Sequence, residues 1–334
     1  MTLTTRMLTT PPLGTARSGR HVFRRLFRRP GAVLVVLCLA VATVAVPQVV
    51  AAYTPPPVLG WETLLPGNPT LHNPQFHGIP GCETPTMACI DWEVVQLDAV
   101  RRSFGCDHRA VFATTYELLT LQLRTDMRAD PHLFQDPAWV IGEDVTFASM
   151  YFTAVHDYQQ GKPVPQAWQI AFDAAGHGND NAVQDMLLGI NAHVQRDMPF
   201  MMAAVGLHTP SGASRKHDHD VLNAVLNRAF AAVTDTIRAR FDPIEGFIAP
   251  HPSVLLGYTG NVVGDQLVQL WREQVFRNAE ALLDAPDRTG VDHVAARINA
   301  YAALWAKGIA LIQLPGYRTF RDAYCAVHNV GPLT

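Results

Sequence analysis

The sequence predicts an all-α fold, an irregular multi-helix bundle with a Pro/Gly-rich N-terminal arm, preceded by a cleavable signal peptide. Three observations carry that prediction. From Asp91 onward apolar residues recur at helical spacing, and strand-like alternation is absent. The intervals between these stretches hold helix punctuation, such as Asp136 before Pro137 and Gly161 after the run that follows. The chain has 334 residues, enough for a sizeable core, and shows no internal repeat, heptad seam or low-complexity tract.

The elements follow in order. The first 52 residues contain no Asp or Glu and place "RRLFRR" (Arg24–Arg29) before the apolar run "AVLVVLCLAVATVAV" and then "PQVVAAYTPPP". A basic region, an apolar stretch of about fifteen residues and a small-residue site describe a secretory signal better than a membrane span, which needs roughly twenty apolar residues. "RRLF" also resembles the twin-arginine export signal, and cleavage is expected at Ala52–Tyr53. A retained N-terminal anchor is the alternative. Residues 53–90 are rich in Pro, Gly and Asn and read as an extended arm or covering loop. Residues 91–334 then read as a single helical domain, with helices at 91–103, 107–127, 137–160, 165–175, 180–197, 199–205, 218–241, 261–284 and 292–312. The stretch 242–261 is the one long irregular connection.

Charge and cysteine usage bound the partners. Removing the leader takes away seven of the 26 Lys and Arg and none of the 29 Asp and Glu, so the remainder carries 19 minus 29, or −10. An acidic domain with three lysines lacks the clustered positive charge by which nucleic-acid binders release counterions, so nucleic acid is not an expected partner. A membrane is expected only during export or through a retained N-terminal segment, and the location is secreted or cell envelope. Cys38 lies in the leader, and the other four cysteines, Cys82, Cys89, Cys106 and Cys325, allow three pairings. Cys82–Cys89 with Cys106–Cys325 is the preferred one for an exported chain. No C-x-x-C pair marks a zinc-cysteine site.

The stretch "GINAHVQRDMP" (189–199) puts Asn191, His193, Arg196 and Asp197 where a buried helix wants aliphatic residues. At about 100° per residue, Val183, Met186, Leu187, Ile190 and Val194 form one stripe, with Asp197 about 40° from its centre and His193 on its edge. Gly189 lies one turn earlier, and a mid-helix glycine costs about 1 kcal/mol relative to Ala unless something must approach closely. In 137–160, Asp144 falls among Val140, Phe147, Tyr151, Val155 and Tyr158. In 218–241, His219 leads the stripe of Leu222, Leu226, Phe230 and Val233. Buried carboxylates must pair, coordinate a metal or stay protonated. Asp144, His193, Asp197 and His219 are therefore expected to meet as ligands of a divalent metal, zinc by its preference for nitrogen and oxygen donors. Asp218 is the candidate general base.

Each residue also has a structural explanation. Asp197 can cap the helix that begins near Pro199, Asp218 can cap its own helix, and Asp144 can pair with Arg109, Arg124 or Arg196. "HGNDN" (177–181) reads as a helix stop followed by an Asp180 cap, and His108 as an ordinary first-turn residue. No H-E-x-x-H, G-x-S-x-G, P-loop, G-x-G-x-x-G, E-x-x-H or C-x-x-C-H motif occurs. These absences weigh against zincin, α/β-hydrolase, Rossmann and di-iron chemistry, while one axial histidine would still suffice for haem.

"DWEVVQLDAVRRSFGCDHRAVFATTYELLT", "DMLLGINAHVQRDMPFMMAAVG" and "KHDHDVLNAVLNRAF" together resemble an actinobacterial helical family of unknown function over most of residues 91–320. That resemblance implies a mostly helical domain and lends no activity. A second likeness is to the helical zinc phospholipase C and nuclease group, whose H-x-x-x-D ligand spacing is matched by His193 and Asp197. No H-x-x-x-E is present, and Tyr53 stands at the expected mature N-terminus where that group uses tryptophan, so its trinuclear cluster does not carry over. "VHD" at His156–Asp157 is similar to the dyad of helical metal phosphohydrolases, with His132 in a loop. The function expected is an exported metal-dependent hydrolase of an ester or phosphoester, its substrate a small molecule or a lipid. The alternative is a non-enzymatic exported ligand-binding or envelope protein. In it the same groups form a hydrogen-bond network beside an apolar cavity lined by Phe147, Tyr151, Met201 and Met202.

Overall fold

Helix begins at Met87, where Thr86 is still extended, and dominates the chain from there. A computed structural model of the chain describes residues 65–243 and 260–333. The expected signal peptide, the start of the arm and the core of the 242–261 connection lie outside the described residues. The helices are α1 (Met87–Phe104), α2 (Arg109–Ala129), α3 (Pro137–Gln159), α4 (Gln166–His177), α5 (Ala182–Ile190), a π-helical turn (Asn191–Asp197), α6 (Met198–Val205), α7 (Lys216–Arg240), α8 (Gly260–Leu283), α9 (Arg288–Ile309) and α10 (Tyr317–His328). No strand is among the described residues, so the expected all-α class holds. None of the described helices is long and apolar enough to cross a membrane.

Local chemistry explains most boundaries. Asp136 accepts from Trp139 N–H with Pro137 at the first position of α3, as the sequence reads. Gly178 ends α4 in the left-handed conformation at φ 70. The cap of α5 is Asn181, in a reciprocal capping box with Gln184, and not Asp180. Asp180 is instead buried, its carboxylate bonded by Gln313 of the connection between α9 and α10. Two expected details therefore change. Asp218 is not a cap either, since α7 already starts at Lys216. The helix α10 is absent from the sequence expectation; its buried anchor is Arg321, 2% exposed, whose guanidinium reaches Asp185 Oδ2 at 2.5 Å and the Asp180 carbonyl at 2.6 Å. His108 completes that buried network at 2.8 Å, so it is more than a first-turn residue, and burial with the Arg321 charge drives its pKa down to about 4.

The centre is helical layers around α2, α3 and the α5–π–α6 unit. α2 packs on α1 and α7, α8 on α6, and α9 on the π turn and α4. The core is continuous, from Ile90 and Leu97 through Trp139, Tyr151 and Trp168 to Met201, Trp271 and Phe276. Residues 65–86 run over this bundle in extended form. Arg277 grips the carbonyls of Leu65 and Pro66, and Asn68 and Leu71 donate to Glu280 and Asp284. At Gly206, φ 80, an added Cβ would lie 1.7 Å from the Pro74 carbonyl oxygen, so the arm's path depends on a glycine there. Disulfides join Cys82 to Cys89 and Cys106 to Cys325, the preferred pairing, and the second ties α10 back to the start of α2 across 219 residues.

Candidate functional site

Between α5 and α6 the backbone changes pitch, and the reason is visible in the sequence. Pro199 stands in the first turn of α6 and has no N–H to return to the preceding turn. The N–H of Met198 bonds instead to the His193 carbonyl, five residues back, which defines a π turn. The wider turn carries His193 and Asp197 inward together, at 2% and 1% exposure. Such turns concentrate at functional sites because they re-aim side chains that a regular helix would space evenly.

His193 lies in an aromatic cage. Its ring is stacked on Phe147 at 3.4 Å between centroids, and Tyr116 stands at 4.8 Å. Phe112, Trp168 and Tyr151 follow at 5.8, 5.9 and 6.0 Å. The Nδ1 atom faces Asp197 Oδ2 at 3.4 Å. That same oxygen accepts from Trp168 Nε1 at 2.7 Å, and Arg196 donates to Oδ1 at 2.7 Å. Burial pushes the pKa of His193 down against the opposing pull of Asp197, so the imidazole is neutral at physiological pH. Asp197 only accepts, which assigns the ring proton to Nδ1 and leaves the lone pair on Nε2. Nε2 is buried and has no hydrogen-bond partner.

His193 forms part of the wall of a cavity of about 110 Å³ between α2, α3, α5, the π turn, α7 and α8. Most of that wall is apolar, with Leu123, Val140, Phe147, Ile190, Val225 and Val233 among its residues. Leu222, Leu226 and Phe230 of α7 also line it and are only half-buried. The polar exceptions are few: Thr115, Tyr116, Thr120, Glu143, Asp144, His193 and Arg272. Tyr116 OH, Glu143 Oε2 and Asp144 Oδ2 are, like His193 Nε2, buried without a partner.

Burial shifts the two acids of this wall, and Glu93 behind them, toward the protonated form. Glu93, bonded by Thr120 Oγ1 at 3.0 Å, forms a carboxyl pair with Asp144. Burial and the Asp144 charge raise the pKa of Glu93 well above its ordinary value. Burial lifts Asp144 to about 7, opposed by its hydrogen bond with Glu93. Burial also pushes Glu143 up to about 8, with Arg272 opposing. Like-charged carboxyls in a dry site cannot all ionise together, so they hold protons near neutral pH.

The five residues singled out from the sequence separate into two groups. His193, Asp197 and Asp144 are in or beside the cavity. Asp144 pairs with Glu93, not with Arg109, Arg124 or Arg196. His219 and Asp218 are already engaged. His219 Nε2 donates to the Arg272 carbonyl at 3.2 Å while Nδ1 accepts from Arg272 Nη2 at 3.1 Å. The two Asp218 oxygens accept the backbone N–H groups of Gln135 and Asp136 at 2.8 and 2.7 Å. Of the expected ligand set only His193 Nε2 and Asp144 Oδ2 remain open. Among the described residues no three His, Cys, Asp or Glu side chains gather in an arrangement that could hold a metal ion. A zinc ion takes three or four protein ligands, and two atoms of the expected set stand open.

Tyr116, Glu143, Glu93, Trp168 and Arg272 escaped the sequence reading. Glu143 had a signal, a second carboxylate beside Asp144, but at 100° from it on the helical wheel it reads as pointing elsewhere. Tyr116 and Trp168 look like core aromatics, and only their neighbours give them a further role.

Fold and site thus define an all-α protein with a neutral, carboxylate-oriented histidine on an apolar cavity. The chain belongs to a family of unknown function, DUF5995, whose model matches residues 90–312. No curated protein and no solved structure matches the chain.

Proposed function

We propose that the protein is an exported binder of a small, mainly apolar molecule, held in the cavity beside His193. The observation that carries this reading is a cavity of about 110 Å³ with an apolar wall and a few unpartnered polar atoms. Pockets of that make-up are where small ligands bind. Size favours a small molecule over a lipid chain, since an engineered apolar cavity of about 150 Å³ takes up benzene. Two disulfides support a working place outside a reducing compartment. Calorimetric titration with benzene tests the reading. Saturable binding and a melting temperature that rises with benzene concentration are expected. Absence of both would overturn it.

One observation favours catalysis as a second reading. Asp144 and Glu143, with pKa values near 7 and 8, can give and take protons on this wall at neutral pH. Hydrolysis of an ester or phosphoester would then use acid–base chemistry. The metal-dependent route expected from the sequence has less support, because His219, an expected ligand, and Asp218, the expected base, are committed to other partners. Turnover of p-nitrophenyl acetate or phosphate that is lost in Asp144→Asn would support catalysis. No turnover by the wild-type chain would remove it.

A further inference from the structure

We infer that the cavity selects a molecule carrying one hydroxyl group on a compact apolar body, with that hydroxyl placed between His193 Nε2 and the Tyr116 hydroxyl. The inference deepens the binding reading and rests on it. Two of the four unpartnered buried groups on this wall are complementary in kind. His193 Nε2 has a lone pair and no donor, and Tyr116 OH has a proton and no acceptor. Their rings stand 4.8 Å apart between centroids, and both line the cavity. A hydroxyl is the smallest group that donates and accepts at once, so it satisfies both. A purely apolar guest leaves both unmade, and a guest with only an acceptor leaves His193 unmade.

The lone pair is fixed in place. Asp197 holds Nδ1–H, and Trp168 and Arg196 hold Asp197, so the ring cannot present its proton to the cavity without breaking that chain. Stacking on Phe147 at an interplanar angle of 5° sets the ring plane. Most of the wall is aliphatic and aromatic, which suits a phenol or a short branched alcohol.

Phenol and toluene have nearly the same shape and differ in the hydroxyl, so paired titrations isolate the inferred contact. An apolar cavity prefers toluene, whereas this one should bind phenol more tightly by about tenfold, as two otherwise unmade buried hydrogen bonds require. In His193→Leu the order should reverse, with toluene retained. Tyr116→Phe, which changes no shape, should keep toluene binding and weaken phenol alone by about fivefold or more. Toluene bound as tightly as phenol by the wild-type chain overturns the hydroxyl inference and leaves the binding reading standing. If neither molecule binds, both fall. Unchanged phenol affinity in Tyr116→Phe would also contradict the inferred contact.

Discussion

Gly189→Ala is the most informative single perturbation of the site's frame. On propensity alone the change should stabilise a helix interior by about 1 kcal/mol. The structure predicts the opposite. A Cβ at residue 189 would lie 2.2 Å from Phe112 Cγ and 2.6 Å from Phe112 Cβ. The second of these is the root of the side chain, so Phe112 cannot escape by turning its ring. Its ring is also wedged against Tyr151 at 5.2 Å and Trp168 at 5.6 Å, and it stands beside His193. Relief requires α2 and α5 to separate by roughly an ångström, and overpacking of that kind costs about 1–3 kcal/mol or more. A Cβ contact this short lies at the upper end of that range, so set against the propensity gain the net loss reaches about 2 kcal/mol, or roughly 4–8 °C in melting temperature. Urea denaturation of Gly189→Ala, Phe112→Ala and the double variant measures it. The double variant should cost clearly less than the sum of the two single changes, because removing the ring makes room for the methyl. A stabilised Gly189→Ala protein, or strict additivity, would refute the reasoning.

Three further outcomes follow from the framework and its charges. The Cys106–Cys325 link closes a separation of 219 residues and Cys82–Cys89 one of 7, so chain entropy assigns them on the order of 5 and 2 kcal/mol. Paired Cys→Ala variants should show the larger urea-midpoint loss for the long link, and a reversed order would contradict that estimate. Glu143, lifted by burial from an ordinary 4.5 to about 8, keeps in the folded state a proton that the unfolded chain has already released. Its stabilising contribution is complete below about pH 4.5 and is lost as pH rises through about 8. Glu143→Gln should therefore flatten the alkaline fall in stability, and parallel pH profiles for the two proteins would rule this out. His108 acts with the opposite sign, since its depressed pKa makes the fold lose stability as pH falls from about 6.5 toward about 4.

The all-α class was legible because helix periodicity and punctuation are local. Asp136–Pro137, Gly161 and the apolar stripes state their positions without tertiary help. The disulfide pairing was legible too, from the even cysteine count and the spacing of Cys82 and Cys89. The inward direction of His193 and Asp197 could be read from the wheel, although regular 100° steps do not hold through a π turn. Pro199 was the available sign of that change in pitch, nine residues beyond Ile190, where α5 ends, and just past the π turn. What stayed hidden was pairing between distant elements. Nothing in the sequence tells that His219 would spend both nitrogens on Arg272, 53 positions away, or that Asp218 would hold the N–H groups of Gln135 and Asp136. The same holds for α10, whose anchor Arg321 meets Asp185 across 136 positions. An inward-facing polar residue can be read from one helix, but its partner cannot.

The state of the His193 ring bears most directly on the whole reading. Nitrogen-15 correlation spectra of the imidazole, recorded on the unliganded protein at neutral pH, distinguish a protonated ring nitrogen from one with a free lone pair. The structure predicts a neutral ring with its proton on Nδ1 and an unprotonated Nε2 that changes shift when phenol is added. A charged ring, or a proton on Nε2, would contradict it.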